Sequence, residues 1–222
     1  DGKLEARAWQ PGRYAFKTAD GKNRQFEVNA MHQPLELAGP WDLSFPPKLG
    51  APAQVTLKKL VSWSEHPDSG VRYFSGTATY NKTIDLSADW VAQNRRLYLD
   101  LGKVGVMAEV KLNGRNLGVL WKTPCRVDVT AAVKAGPNAL EVKVVNLWVN
   151  RQIGDEYLPE DSERNPDGTL KQWPQWLNAD KPSPTGRFTF ATTRILKKDD
   201  SLAESGLLGP VTLQVAETVD LK

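Results

Sequence analysis

Hydrophobic and polar positions alternate in short runs along most of this chain. From Leu97 to Leu101 the leucines at 97, 99 and 101 face one way, with Tyr98 and Asp100 between them. From Leu140 to Val144 the apolar residues alternate with Glu141 and Lys143, and Ala108-Glu109-Val110-Lys111-Leu112 repeats the pattern. Period two marks a strand with one face in a core and the other in water. Asn113-Gly114 separates the last of these runs from Leu117-Gly118-Val119-Leu120. Asn and Gly both tolerate positive φ, so the pair predicts a two-residue hairpin turn. Several short strands at this spacing predict an all-β chain folded as an antiparallel two-sheet β-sandwich.

Residues 1–33 read as a small N-terminal β extension. Leu4 to Trp9 alternates, and Pro11-Gly12 and Asp20-Gly21 turn the chain into two further short strands. Three strands without a partner sheet are marginal alone. They are expected to be the remnant of a preceding domain or an edge added to the main sandwich. Residues 34–222 are expected to form that sandwich, with Trp41 in its core and Pro46-Pro47 ending its first strand. Ser87-Ala88-Asp89-Trp90 predicts one helical turn capped by Ser87. Alternation stops after Asp155. The segment 156–184 is rich in Pro, Asp, Asn and Lys yet holds Trp173 and Trp176, and a loop of this length is often functional. Alternation returns over Arg187–Phe190, and the last strand is expected from Val211 to Val215.

Composition narrows the classes. A chain of 222 residues can bury a full core. The net charge of +3 is small, and acids and bases are mixed throughout, which argues against a nucleic-acid surface. No apolar run approaches the length of a membrane span, so no membrane partner is expected. Asp1-Gly2-Lys3 leads into alternation and not into the apolar stretch of a signal peptide. A chain opening on aspartate is expected to be a piece of a longer one. The single cysteine, Cys125, excludes an internal disulfide and is expected to be a buried, inert thiol. His32 and His66 make no zinc motif.

Eight tryptophans stand out. A sugar site needs an aromatic platform beside planar polar groups that satisfy hydroxyls in pairs. Trp148, Asn150, Arg151 and Asp155 offer that mixture at a strand end, where they are expected to project from the rim of the sandwich. Trp121-Lys122 offers it after the hairpin, and Trp173 and Trp176 offer it in the long loop. Plainer readings stand beside these. Trp148 suits packing between sheets equally well, Arg151 and Asp155 could be an ion pair pinning the loop, and Trp173 and Trp176 could cover a sandwich face or dock on another domain.

Glycoside hydrolysis usually needs two carboxylates roughly 5–9 Å apart across the scissile bond. The candidates Asp155, Glu156, Glu160, Asp161 and Glu163 crowd into one segment, and their spacing fixes no pair across a cleft. A solvated loop is the expected reading, with a calcium site as the sharper alternative.

Longer motifs add a resemblance. The segment Tyr-Phe-Ser-Gly-Thr-Ala-Thr-Tyr at 73–80, the Leu-Asn-Gly hairpin at 112–114, Pro-Cys-Arg-Val-Asp-Val-Thr at 124–130 and Gly-Pro-Asn-Ala-Leu-Glu-Val at 136–142 resemble the sugar-binding jelly roll of family-2 glycoside hydrolases. Trp63-Ser64-Glu65-His66-Pro67, the Asn-Leu-Trp-Val-Asn-Arg-Gln-Ile-Gly-Asp run from Asn146 to Asp155, Thr185-Gly186-Arg187-Phe188 and the segment from Ser205 to Pro210 resemble the C-terminal region of glycoside hydrolase family 106, the α-L-rhamnosidases, and related bacterial proteins. The likeness covers about residues 35–215. It implies a galactose-binding-like jelly roll from a bacterial, secreted or periplasmic glycoside hydrolase. It also implies an accessory role beside a catalytic barrel that this chain does not contain. No cofactor is implied, a structural calcium ion aside. Two functions remain open. One is a non-catalytic carbohydrate-binding module holding plant or other complex glycan. The other is a structural domain that buttresses the catalytic domain of the parent enzyme and binds no sugar itself.

Overall fold

The computed structural model describes residues 5–91 and 95–221. Two antiparallel sheets face each other across one core. The six-stranded sheet runs, from edge to edge, Arg115–Leu120, Met107–Leu112, Gly136–Val145, Thr77–Leu86, Trp41–Ser44 and Gln54–Leu57. The five-stranded sheet centres on Thr212–Asp220, paired on one side with Arg95–Asp100, which in turn pairs with Arg126–Asp128. On its other side lie two short strands, Leu35–Glu36 and Glu5–Ala8. The alternation in the sequence is the cause. Ala78, Tyr80, Val110, Val142 and Val144 point inward from one sheet, and Leu97, Leu99, Leu213 and Val215 from the other, all buried in one cluster. The charged residues between them, Glu109, Lys111, Glu141 and Lys143, lie on the outer face, where Lys111 Nζ sits 3.3 Å from Glu141 Oε1.

The hairpin stands where Asn-Gly predicts it. Asn113 and Gly114 have φ of 51° and 80°, and Leu112 pairs with Arg115. The Asn113 side chain also ties the turn down. Its Nδ2 donates to Ala132 O and to Asn138 Oδ1, each at 2.8 Å, and its Oδ1 accepts the Ala139 N–H at 2.9 Å. The register shifts between Val110 and Lys111, where the edge strand carries an extra residue beside Gly118, whose φ is +102°. Trp41 and Trp63 are core residues, as is Cys125, whose thiol is pushed up by burial and by Asp100. The Ala88–Val91 turn follows Ser87 as the sequence predicts.

The N-terminal segment divides. Glu5–Ala8 completes a ladder with Glu217–Asp220, while Gly12–Lys17 and Asn23–Val28 pair only with each other. Arg187–Phe190 is not a strand, contrary to its alternation. Its backbone N–H groups at Phe188 and Thr189 donate to the Asp155 carboxylate in place of a neighbouring strand, at 2.9 and 2.7 Å.

Candidate functional site

The long strand Gly136–Val145 pairs along its whole length with Thr77–Leu86 and ends against a fixed turn. Asn146, buried there, accepts the Gly76 N–H through Oδ1 (3.0 Å) and donates through Nδ2 to Phe74 O (2.7 Å). The chain then puts Leu147 and Trp148 into solvent, Trp148 with 54% of its surface exposed, and enters the helix Val149–Asp155.

The three polar residues expected on the rim do not project from it. Asn150 is 2% exposed, Arg151 7% and Asp155 1%. Asn150 brackets the Ala203 peptide, donating to its carbonyl and accepting its N–H, each at 2.8 Å. Asp155 Oδ2 accepts the Phe188 and Thr189 N–H groups and the Thr189 hydroxyl, the last at 2.8 Å. Arg151 lies over two aromatic rings, its guanidinium carbon 4.7 Å from the Phe188 centroid and 5.8 Å from that of Tyr73. Its Nε comes within 3.1 Å of Asp155 Oδ1 one helical turn on, close enough for an ion pair but off the hydrogen-bond line, so neither atom has a hydrogen-bond partner. Burial pulls the guanidinium below its ordinary range, while the Asp155 charge works the other way. Gly154 permits this packing: a Cβ there would stand 2.5 Å from Tyr73 Cγ and 2.7 Å from Arg151 Nη2. The physical reason for the correction is that partners from 33 to 53 residues downstream cover the helix. Arg151 and Asp155 pin the long loop, the alternative their spacing had left open.

That loop is ordered by arginines. Arg187 donates through Nε to Pro159 O and through Nη2 to Leu158 O, both at 2.8 Å, and through Nη1 to Glu156 Oε1 at 2.9 Å. Arg194 reaches Asp161 Oδ1 at 2.7 Å and also pairs with Glu160. Asp161 Oδ2 accepts the Ser183 hydroxyl at 2.9 Å. The acids that could have formed a catalytic pair, Asp155, Glu156, Glu160 and Asp161, therefore face arginines and backbone. Among the described residues no three His, Cys, Asp or Glu side chains group to hold a metal ion. The hollow between Gln152, Glu156, Arg187 and Arg194 measures about 30 Å³, room for a water molecule and not for a pyranose.

The remaining sequence candidates split by exposure. Trp121 is 73% exposed, just beyond the strand that ends at Leu120, and Lys122 beside it is exposed too. The register sets Ala108 against Leu120 and Met107 against Val145, so Met107, Trp121 and the Leu147-Trp148 pair end neighbouring strands at one end of the six-stranded sheet. Trp173 and Trp176 both pack on Phe190, with ring centroids 5.7 and 5.8 Å away, and Trp176 Nε1 donates to Asp161 O at 2.8 Å. Trp176 is thus a brace for the loop, while Trp173 keeps an exposed face.

The sequence motifs had not singled out a second concavity on the far side of the Val149–Asp155 helix. It measures about 380 Å³ and lies between the Trp63–Glu65 turn, the Ser69–Arg72 helix and the 198–202 segment. Tyr73 and Tyr157 line it, their ring centroids 5.9 Å apart. They are 84 positions apart in the chain, and no local spacing connects them.

Comparison with known proteins places this architecture. Residues 64–173 match the family described as glycosyl hydrolase 2 galactose-binding domain-like. A protein of Formosa agariphila named "Putative beta-glucuronidase" is 46% identical over 215 residues, which is 97% of this chain and 18% of that protein. The structure of a rhamnosidase from Novosphingobium sp. PP1Y superposes with a TM-score of 0.67 at 29% identity, over 91% of this chain and 19% of that one. Beta-glucuronidase of Ruminococcus gnavus shares the fold, with a TM-score of 0.53 at 21% identity, over 86% of this chain and 29% of that one. The chain thus spans less than a fifth of the first two relatives.

Proposed function

We propose, from the likeness of this chain to the galactose-binding-like domain of glycosyl hydrolase 2 proteins, that it is a non-catalytic module that contacts carbohydrate for a longer, secreted or periplasmic bacterial enzyme. The observation that carries this is the pair of indole faces at Trp121 and Trp148, 73% and 54% exposed on the ends of well-paired strands. A rigid flat apolar face in water suits the C–H face of a pyranose. The loop acids, held by arginines, support a binding role over hydrolysis. The test is a glycan array on this chain, followed by calorimetric titration of the best hit against Trp121→Ala and Trp148→Ala. Retained fold with weakened binding supports the reading. A parent chain that binds no glycan removes it.

The buttress reading has its own observation. Met107, Val119, Trp121, Leu147 and Trp148 are all exposed apolar residues of the outer strands and strand ends of the six-stranded sheet. The polar residues Asn150, Arg151 and Asp155, which follow Trp148, are committed internally. Such a surface also suits a neighbouring domain of the same polypeptide. Under this reading, Trp121→Ala and Trp148→Ala lower the melting temperature of the full-length enzyme and leave that of this chain unchanged.

A further inference from the structure

We propose that the cleft lined by Tyr73 and Tyr157 is a binding site for a neutral saccharide, an inference that rests on the carbohydrate-contact reading above and adds a second place of contact to the exposed indoles. Three features coincide there. The volume of about 380 Å³ falls within the range of small-molecule sites. Two phenol rings, tilted by 40° with centroids 5.9 Å apart, pack on each other and together offer a sugar ring one apolar wall. The cleft also has polar groups without protein partners. Among the described residues, the carboxylates of Glu65 and Asp199 make no hydrogen bond or ion pair. Arg72 is anchored only through Nε, on His66 O at 3.0 Å, which leaves its terminal nitrogens free.

The Tyr157 ring is itself held in place. Its hydroxyl donates to Lys198 O at 2.9 Å, joining the end of the helix to the far wall. The neighbouring Tyr73 hydroxyl keeps the Tyr157 phenol above its ordinary pKa, and Asp199 and Arg72 line the same hollow. Carboxylates accept from adjacent sugar hydroxyls, and a guanidinium donates two parallel bonds to a pair of oxygens. The border carries Glu65, Asp199 and Asp200 against Arg72 and Lys198. That acidic excess repels a uronate and favours an uncharged pyranose.

The experiment is calorimetric titration of this chain with a panel of methyl α-L-rhamnoside, methyl β-D-galactoside, methyl β-D-glucoside and neutral oligosaccharides of the same sugars, with trigalacturonate as the charged comparison. Tyr157→Ala, Asp199→Asn and Trp148→Ala are run beside the parent, with circular dichroism to confirm their fold. A neutral probe is expected to bind the parent, with affinity falling about tenfold or more in Tyr157→Ala and several-fold in Asp199→Asn. If a probe binds the parent and both cleft variants equally, the cleft assignment fails while the carbohydrate reading stands. Loss confined to Trp148→Ala would then move the site to the rim. Preference for trigalacturonate over every neutral probe also overturns the assignment. A parent that binds nothing on the panel or the array overturns both.

Discussion

The Asp155 carboxylate accepts the backbone N–H of Phe188, 33 residues further along, at 2.9 Å. The same oxygen takes Thr189 N–H and Oγ1, and its twin lies beside Arg151. One acid therefore joins the helix Val149–Asp155 at the strand end to the returning limb of the loop. Asp155→Ala would leave a buried guanidinium and two backbone donors without an acceptor. It is expected to cost about 3–5 kcal/mol, the scale for removing one partner of a buried pair. Urea unfolding followed by circular dichroism measures this, and a loss below 1 kcal/mol (order of magnitude) would show that water replaces the carboxylate.

Asn138 is fully buried and closes the opposite end of the same strand. Its Nδ2 donates to Lys134 O and Gly136 O, and its Oδ1 accepts from Asn113 Nδ2 and Lys134 N–H, all between 2.8 and 2.9 Å. Asn138→Ala strands several buried groups at once and is expected to cost about 1–3 kcal/mol. Asn138→Asp keeps the acceptor and loses both donations. Thermal melts should rank parent, Asp variant and Ala variant all apart.

Trp121→Ala and Trp148→Ala should leave the stability of this chain within about 0.5 kcal/mol, because both indoles face solvent. A drop of several kcal/mol in either would mean that the ring packs on the sandwich in solution. The contrast residue is Trp63, fully buried among Phe45, Phe74 and Tyr80, where truncation to Ala should cost about 3–5 kcal/mol.

Acid should weaken the fold in a defined window. Burial works to raise the Asp128 carboxyl. Hydrogen bonding from Thr130 and the charges of Arg96 and Arg7 outweigh it, holding it below the ordinary 3.8. A depressed folded pKa stabilises above the unfolded value, and that contribution is lost as pH falls through the folded one. The melting temperature should therefore be unaffected by this group from pH 7 to about 5 and should decline below 3.8. Asp128 is partly exposed, so the effect is about 0.2–1 kcal/mol. Asp128→Asn should lower the melting temperature at pH 7 and flatten its acid limb. Identical pH profiles would remove the assignment.

The chain should release no aryl glycoside product, because Glu156, Glu160 and Asp161 face Arg187 and Arg194. Fluorimetry with aryl rhamnoside, glucuronide and galactoside substrates checks it. Turnover abolished by Glu160→Gln would establish a catalytic role for the loop.

The two sheets were legible because period two and an Asn-Gly turn are local facts. Ala108–Leu112 shows its buried face in five residues, and Asn113 needs only its neighbour to reverse the chain. The helix Val149–Asp155 was not legible. It has no side-chain cap, contains Gly154, and is covered by residues from Phe188 to Ala203. Charged residues are mostly exposed, so Arg151 and Asp155 read as rim groups. Their burial depends on long-range contacts that no spacing encodes. The alternation of Arg187–Phe190 misled for a related reason: Phe188 does face outward and Arg187 inward, but the backbone between them bonds a carboxylate and not a strand. The Tyr73–Tyr157 cleft left no signal, since each tyrosine alone is an ordinary aromatic.

The bulge beside Gly118 bears on how this molecule behaves in a crowd. Arg115–Leu120 is the outermost strand of its sheet, and an open, flat edge invites a strand from another molecule. Here the extra residue breaks the regular ladder, and Gly118 turns its N–H onto Asn116 Oδ1 at 2.8 Å, closing a donor that a foreign strand would need. Concentrated solutions of this chain should thus resist edge-to-edge growth, and the hairpin stays free to meet a partner by side chains alone.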